Sequence, residues 1–568
     1  MGAVLIKGGV LVDGSGAPER PADVRVRDGL IVEVGPDLPA DGERLVDASG
    51  AIVAPGFIDN HTHVDPSLWW DPSCDPMPQH GVTTVLMGNC SLSLAPVRAA
   101  DRPEVTSLFC YIEDLPDAAF DAAIPWTWES WPDYRRSAGE RRFGVNTTGF
   151  VGHTPLRLFV MGRNAWDRPA TEAERAEMAR VLDESLAAGA LGLSTSMGFD
   201  EDRDKRPVPS RLADDDEYGA LFDVLAAHRR TVQFIPDQSG GRGMRADVTR
   251  MAGLCRPRGL THTWIGIFHD TNHPNAATRN LDFALELQEQ GARTLPQVSP
   301  RTLDIRVNWS GGMSWFALAE GWHRAVQAPA AQMRQLLEDP TWRAVAREEW
   351  DRVPRTMIPH RYPERLRFVE VRRPELERWV GSTLADLVAA RPGHPSDVLA
   401  DWVLENDLDP GLVGVGVANS DPDGVAATLT HPAALIGNSD AGAHLQMMCA
   451  TGDSTLLLTQ HVRDRADLSL PAAVHALTGR QADAFGLPGR GRIVPGAAGD
   501  LTVFALDELA WEPDVFVDDL PAGGARLRRP PGGFRQTIVA GEVVQEAGQL
   551  TDNLPGRFIA AGAPPERT

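Results

Sequence analysis

Two histidines, one cysteine and one aspartate stand at the ends of apolar runs, and together they make a donor set for a divalent cation. His61 and His63 close the run GFIDNHTH. Residues two apart on an extended strand project to the same side, so both imidazoles can reach one metal, although two polar residues leaving a strand would show the same spacing. Cys90 closes GVTTVLMGNC, where a thiolate would be a strong zinc ligand and a thiol a small core hydrophobe. Asp440 closes AALIGNSD. A carboxylate there can bind a cation and take the proton of an attacking water, or it can cap a helix begun by AGAHLQMM. The chemistry such a set performs is metal-assisted hydrolysis.

Further polar residues fall near the same strand ends. His269 closes THTWIGIFHD and is a further ligand candidate, with His273 in the loop beyond it, whereas His262 opens that run on the opposite side. His153 closes VNTTGFVGH and would hydrogen-bond the substrate or order the strand top. Arg301, directly after ARTLPQVSP, has the fork that suits a substrate carboxylate, or it joins a salt bridge. His444, four residues after Asp440, completes the rim as a substrate contact or packs on the segment that follows. His80 precedes its strand and reads as structural, and Cys74, Cys110, Cys255 and Cys449 lack any such position. Five scattered cysteines also argue against a disulfide framework.

These residues need a scaffold that gathers strand ends. Between the two β-rich terminal regions lie about eight apolar runs ending in polar or small residues, the number of strands in a (β/α)8 barrel, where the carboxyl ends face the active site. Several precede helical segments. The clearest is Thr171 to Ala190, with a Thr171/Glu174 capping box and Met178, Val181, Leu182 and Leu186 at helical spacing. The first ~50 residues read as a small antiparallel sheet, and a similar texture returns in GRIVPGAAGDLTVFALD and FRQTIVAGEVVQEAG. The expected fold class is α/β, a TIM-like barrel with a small β-sandwich domain built from both chain ends. Residues 1–55 and 490–550 would form the sandwich and 56–489 the barrel, with a large insertion at about 301–432 holding amphipathic runs and the tryptophan-containing NWSGGMSWFALAEGW. The tail GAPPERT reads as disordered.

The 568 residues carry a formal charge of −23, which disfavours a phosphate-backbone binder and leaves small molecules as partners, with no nucleic acid. The run MGAVLIKGGV is too short for a signal peptide, and no apolar run approaches the ~20 residues of a membrane span, so the expected location is cytoplasmic. Barrels of this kind often associate, so a homo-oligomer is expected.

APGFIDNHTHVD, HGVTTVLMGNCSLSLAPV, GHTPLRLFVMG, the Thr171 to Ser196 segment ending GALGLSTS, and GNSDAGAH with a late GRGRIVPGAAGDLTVF together resemble the D-aminoacylase branch of the amidohydrolase superfamily, the N-acyl-D-amino-acid deacylases. The resemblance spans most of the chain outside roughly Glu201 to Thr430. It implies that His61, His63 and Cys90 contact zinc and that Asp440 is the general base. It also implies further histidine ligands on strands five and six, yet the fifth run, VQFIPDQSG, offers Asp237 and no histidine, which leaves His269 on the sixth. The metal-bridging lysine of other superfamily members has no counterpart either. The cofactor implied is zinc, one ion or two, in an unusual ligand set. The resulting expectation is cleavage of the amide bond of an N-acyl-D-amino acid, or of a related small amide bearing a carboxylate, by metal-activated water with Asp440 as base. Two rivals remain at this level: the same fold acting on a cyclic amide or a specialised natural product, and a noncatalytic barrel that has lost its metal.

Overall fold

The computed structural model describes residues 3–198, 200–238, 243–309, 319–352 and 362–567. Short Val- and Ile-rich runs from early and late in the chain build two sheets that share one core. The first has the order Leu30–Gly35, Asp23–Arg27, Val4–Lys7, Arg44–Asp47. The second, of seven strands, places late Leu501–Phe504 beside early Ile52–Pro55. Val4, Ile6, Val24 and Val26 pack there with Val53, Leu501, Val503, Ile538 and Val543. The early sheet is mixed rather than antiparallel. Only the Asp23–Arg27 and Leu30–Gly35 pair is a tight hairpin, turned by Asp28 and Gly29 at φ of 49° and 75°. After it the chain crosses over, so Arg44–Asp47 lies parallel to Val4–Lys7 and Ile52–Pro55 parallel to Val10–Leu11.

Gly56 passes the chain from this region into the next. Its backbone lies so close to Thr83 that a Cβ would stand 2.1 Å from Oγ1, so no larger residue fits without displacing the next strand. Parallel strands follow at Phe57–Asp59, Val82–Met87, Asn146–Gly149 with Val151–Gly152, Gly192–Ser196, Thr231–Ile235, Thr261–Ile267, Arg293–Val298 and Leu435–Ile436. Each pairs in parallel with the next, and a parallel bridge links Thr62, beyond the first, to Ala441, beyond the last. Helices lie between most of these strands, giving a mixed α/β fold. The interval Glu172–Ala187 is helical as its spacing predicts, and Met178, Val181, Leu182 and Leu186 are buried. Thr171 Oγ1 accepts from the Glu174 amide at 3.3 Å while Glu174 Oε2 accepts from the Thr171 amide at 2.8 Å. Thr171→Ala therefore should lower the urea midpoint by the equivalent of about 1 kcal/mol without changing activity.

The long stretch before the last parallel strand has a core of its own. Antiparallel strands Leu303–Arg306, Gly411–Ala418 and Leu366–Glu370 carry helices that bury Trp322, Trp342, Trp350 and Trp402. Met447, seven residues after Asp440, inserts into that core and ties it to the site loop. Residues 310–318 of the tryptophan-containing run lie outside the described residues. No helix among the described residues is long and apolar enough to cross a membrane. The tail through Arg567 is described and forms no helix or strand.

Candidate metal centre

The segment after the first parallel strand is stitched to the segment after the last. The Asp440 amide donates to His61 O at 3.0 Å and the His63 amide to Ala441 O at 2.7 Å. Asn60 holds the turn from beneath: its Oδ1 accepts from the Asn438 amide at 3.1 Å and its Nδ2 donates to Gln481 at 2.9 Å. Cys90 arrives from the second strand through a turn in which Gly88, Cys90 and Ser91 all have positive φ, 73°, 55° and 70°. Two consecutive non-glycine residues in the left-handed region are strained. The turn persists because the Cys90 amide donates to Gln233 Oε1 at 2.8 Å and the Ser91 amide to Ser194 Oγ at 3.1 Å. Asp440 and His444 share that backbone region, with φ of 67° and 52°.

The ligand atoms of His61, His63 and Cys90 lie within 4.8 Å of one another, the only such grouping of three among the described residues. His61 Nε2 is 3.1 Å from Cys90 Sγ. Asp440 Oδ1 stands 3.3 Å from His63 Nε2 and 3.6 Å from His61 Nε2. The other nitrogen of His61 is held: Nδ1 lies 3.0 Å from Gln297 Oε1, the Gln297 amide nitrogen donates to Thr263 Oγ1 at 2.9 Å, and that hydroxyl donates to Leu295 O. This relay makes Nδ1 the donor and leaves the Nε2 lone pair facing the cluster.

Burial dominates the electrostatics. It lowers the His61 pKa to about 4 and pushes the Cys90 thiol up to about 12. For His63 burial acts downward as well, but Glu113, Cys90 and Asp440 reverse it and hold its pKa well above the ordinary value. Asp440 is pushed up by burial and pulled further down by His63, His444 and His61, so its carboxylate stays ionised. Two buried imidazoles, a buried thiol and a half-buried carboxylate oxygen crowded together match the donors that a borderline divalent cation such as zinc takes.

The remaining candidates fall at different distances from this cluster. His444 is part of it, its Nε2 3.7 Å from Asp440 Oδ2. His269 is not among the grouped ligands. A register shift between Trp264 and Ile267, with Gly266 at φ 102°, turns the end of its strand. Its amide is bound by Asn419 Oδ1, and its ring lies against Gly424, with Nε2 3.8 Å from Asp421. His153 opens a helix and is engaged on both nitrogens, by Thr195 Oγ1 at 3.0 Å and Glu217 Oε1 at 2.7 Å. Arg301 is buried, with Nε donating to Asp453 at 3.0 Å and Nη2 to Ser439 O at 2.5 Å, while Nη1 lies 3.4 Å from the Met448 sulfur. His262 and His80 are fully buried away from the grouped ligands, as structural residues would be. Strand-end reasoning missed Gln233, Gln297 and Glu113, of which the last lies 3.0 Å from His63 Nδ1.

Comparisons with known proteins give the chain's family. The profile described as "Amidohydrolase family" matches residues 44–545. An uncharacterized protein of Mycobacterium tuberculosis is 30% identical over 98% of this chain and 96% of its own. The N-acyl-D-glutamate deacylase of Alcaligenes xylosoxydans xylosoxydans is 28% identical over 89% of this chain and 87% of its own. The crystal structure of N-acyl-D-glutamate deacylase from Bordetella bronchiseptica, complexed with zinc and a phosphonate mimic of the tetrahedral intermediate, superposes with a TM-score of 0.68 at 25% identity, covering 98% of this chain and 99% of that one. The chain belongs to the amidohydrolase family, and with it to the hydrolases that act on carbon–nitrogen bonds other than peptide bonds.

Proposed function

We propose that this chain is a zinc-dependent deacylase that cleaves the amide bond of an N-acyl-D-amino acid or a related small amide bearing a carboxylate. The observation that carries the reading is the convergence of His61, His63 and Cys90 within 4.8 Å, with Asp440 against both imidazoles. We read the parallel strands as a closed (β/α)8 barrel, since the Thr62 to Ala441 bridge joins the segments beyond the first strand and the last. The two smaller sheets then form a separate β-sandwich domain.

In this reading His61, His63, Cys90 and Asp440 hold the cation, which supplies Lewis-acid polarisation of the amide carbonyl and a lowered pKa for water. The ionised Asp440 accepts the water proton on a carboxylate oxygen and returns it to the leaving amine nitrogen. Gln297 keeps the His61 ring in one tautomer throughout, because its own amide is oriented by Thr263. His444, partly exposed beside Asp440, contacts the bound substrate. The acyl and amino-acid groups meet the rim, where the insertion's core reaches the loop at Met447.

Purified protein should contain zinc at about one ion per chain or more, lose turnover with a chelator and regain it with zinc. A panel of N-acyl-D-amino acids, their L-isomers and cyclic amides measures the substrate class. Turnover confined to the cyclic amides would replace the deacylase reading. Metal content far below one ion per chain after zinc supplementation, with no turnover on the panel, would remove it.

A further inference from the structure

The helix Arg102–Ile112 ends at Glu113, and Asp114, at φ 53°, turns the chain immediately afterwards. The Glu113 side chain is thereby sent inward rather than to solvent. Its Oε1 lies 3.0 Å from His63 Nδ1, both side chains are 2% exposed, and the opposite nitrogen of the same ring lies 3.3 Å from Asp440. A carboxylate removed from water persists only with a partner of opposite charge or good donors. The polar group Glu113 meets is the His63 ring, in a close contact at Nδ1 that falls short of hydrogen-bond geometry. The backbone around Glu113 is held as well. Its carbonyl accepts from the Leu445 amide at 3.4 Å, and Leu445 O accepts from the Leu527 amide of the hairpin Val515–Arg528 at 2.8 Å.

We propose that Glu113 is a positioning residue for His63: it fixes the ring so that Nε2 faces Asp440 and Cys90, and its charge strengthens that nitrogen as a ligand. The inference rests on the reading of His63 as a zinc ligand given above. Glu113 does not touch substrate. It acts through the imidazole, as a carboxylate behind a metal-bound histidine does. His61 is served differently, by the neutral Gln297, so the two histidines are supported by groups of unequal charge.

The test is zinc affinity by chelator competition, together with the visible spectrum of the cobalt-loaded protein, for wild type, Glu113→Gln and Glu113→Asp. The Gln variant keeps the size and removes the charge; the Asp variant keeps the charge and retracts it. Zinc binding should weaken roughly 10- to 100-fold in Glu113→Gln and less in Glu113→Asp, with shifted cobalt absorption bands in both. Wild-type affinity and an unchanged cobalt spectrum in Glu113→Gln would overturn the inference, even if thermal stability falls. If Glu113→Gln does not fold, unaltered zinc affinity in Glu113→Asp overturns it instead. Failure of the wild-type protein to take up either metal would overturn the deacylase reading itself, which separates the two failures.

Discussion

Asparagine in place of Asp440 is expected to lower kcat roughly a hundred- to ten-thousand-fold, the range for removing a positioned general base. The substitution keeps the side chain's size and an oxygen facing the cluster, and removes its charge and with it proton acceptance. Asparagine has the same outline, and it adopts the left-handed conformation that residue 440 holds at φ 67°. The main-chain bonds that seat the residue, from its amide to His61 O and from the Ala443 amide to its carbonyl, do not involve the side chain. The variant should therefore fold normally. It should retain zinc through His61, His63 and Cys90, while single-turnover amide cleavage slows with kcat. Activity within tenfold of wild type, at equal zinc content, would exclude Asp440 as the base.

The second large effect concerns stability. His153, Arg157 and Glu217 are all fully buried, with Glu217 Oε1 2.7 Å from His153 Nε2 and Glu217 Oε2 bound to the Arg157 guanidinium. Glu217→Gln leaves the Arg157 charge buried without its counter-ion, so the folded state should lose about 3–5 kcal/mol, read as a fall in the urea midpoint. The grouped ligands His61, His63 and Cys90 involve none of these residues, so zinc uptake by the folded variant should match wild type.

The same network has a defined pH dependence. Burial pushes the Glu217 pKa up, but His153 and Arg157 outweigh it and hold it at about 2, below its ordinary 4.5. A carboxylate whose pKa is depressed on folding stabilises the fold fully above its unfolded value. That contribution is lost as pH falls from about 4.5 toward 2. His153, lowered by burial against the pull of Glu217, stays neutral in the fold, so its contribution is present above 6.5 and declines below it. Both groups weaken the fold on acidification. A urea midpoint that holds constant from neutral pH down to pH 3, in protein whose Glu217→Gln variant is destabilised, would contradict this assignment.

Much of the candidate site is legible in the sequence because a strand's end is marked by the end of an apolar run. That rule finds His61, His63, Cys90 and Asp440, whose segments are then joined by main-chain hydrogen bonds. It misleads where the backbone departs from a regular strand. The irregularity before His269 rotates that ring toward Asp421, and no periodicity in THTWIGIFHD announces it. His153 passes into a helix at once, so its ring meets Glu217 of the Asp215–His228 helix. Arg301 stands where a substrate carboxylate could be met, but its partner, Asp453, is about 150 residues away in a segment without a strand signal. Glu113 was invisible for the complementary reason. It ends a helix, and only the turn at Asp114 directs it inward.

The pairing of Val53 with Val503 carries a cost in time. Roughly 450 residues separate these neighbours, so during synthesis the early strand waits, one edge open, until that whole interval has been made. A ribosome pausing between the two strands would leave that edge available to wrong partners, and loss of the later strand would strand a segment already committed to pairing. For this enzyme the vulnerable interval is the translation between those two strands, and expression at lower temperature or with added chaperone should raise the yield of folded protein more than it changes specific activity.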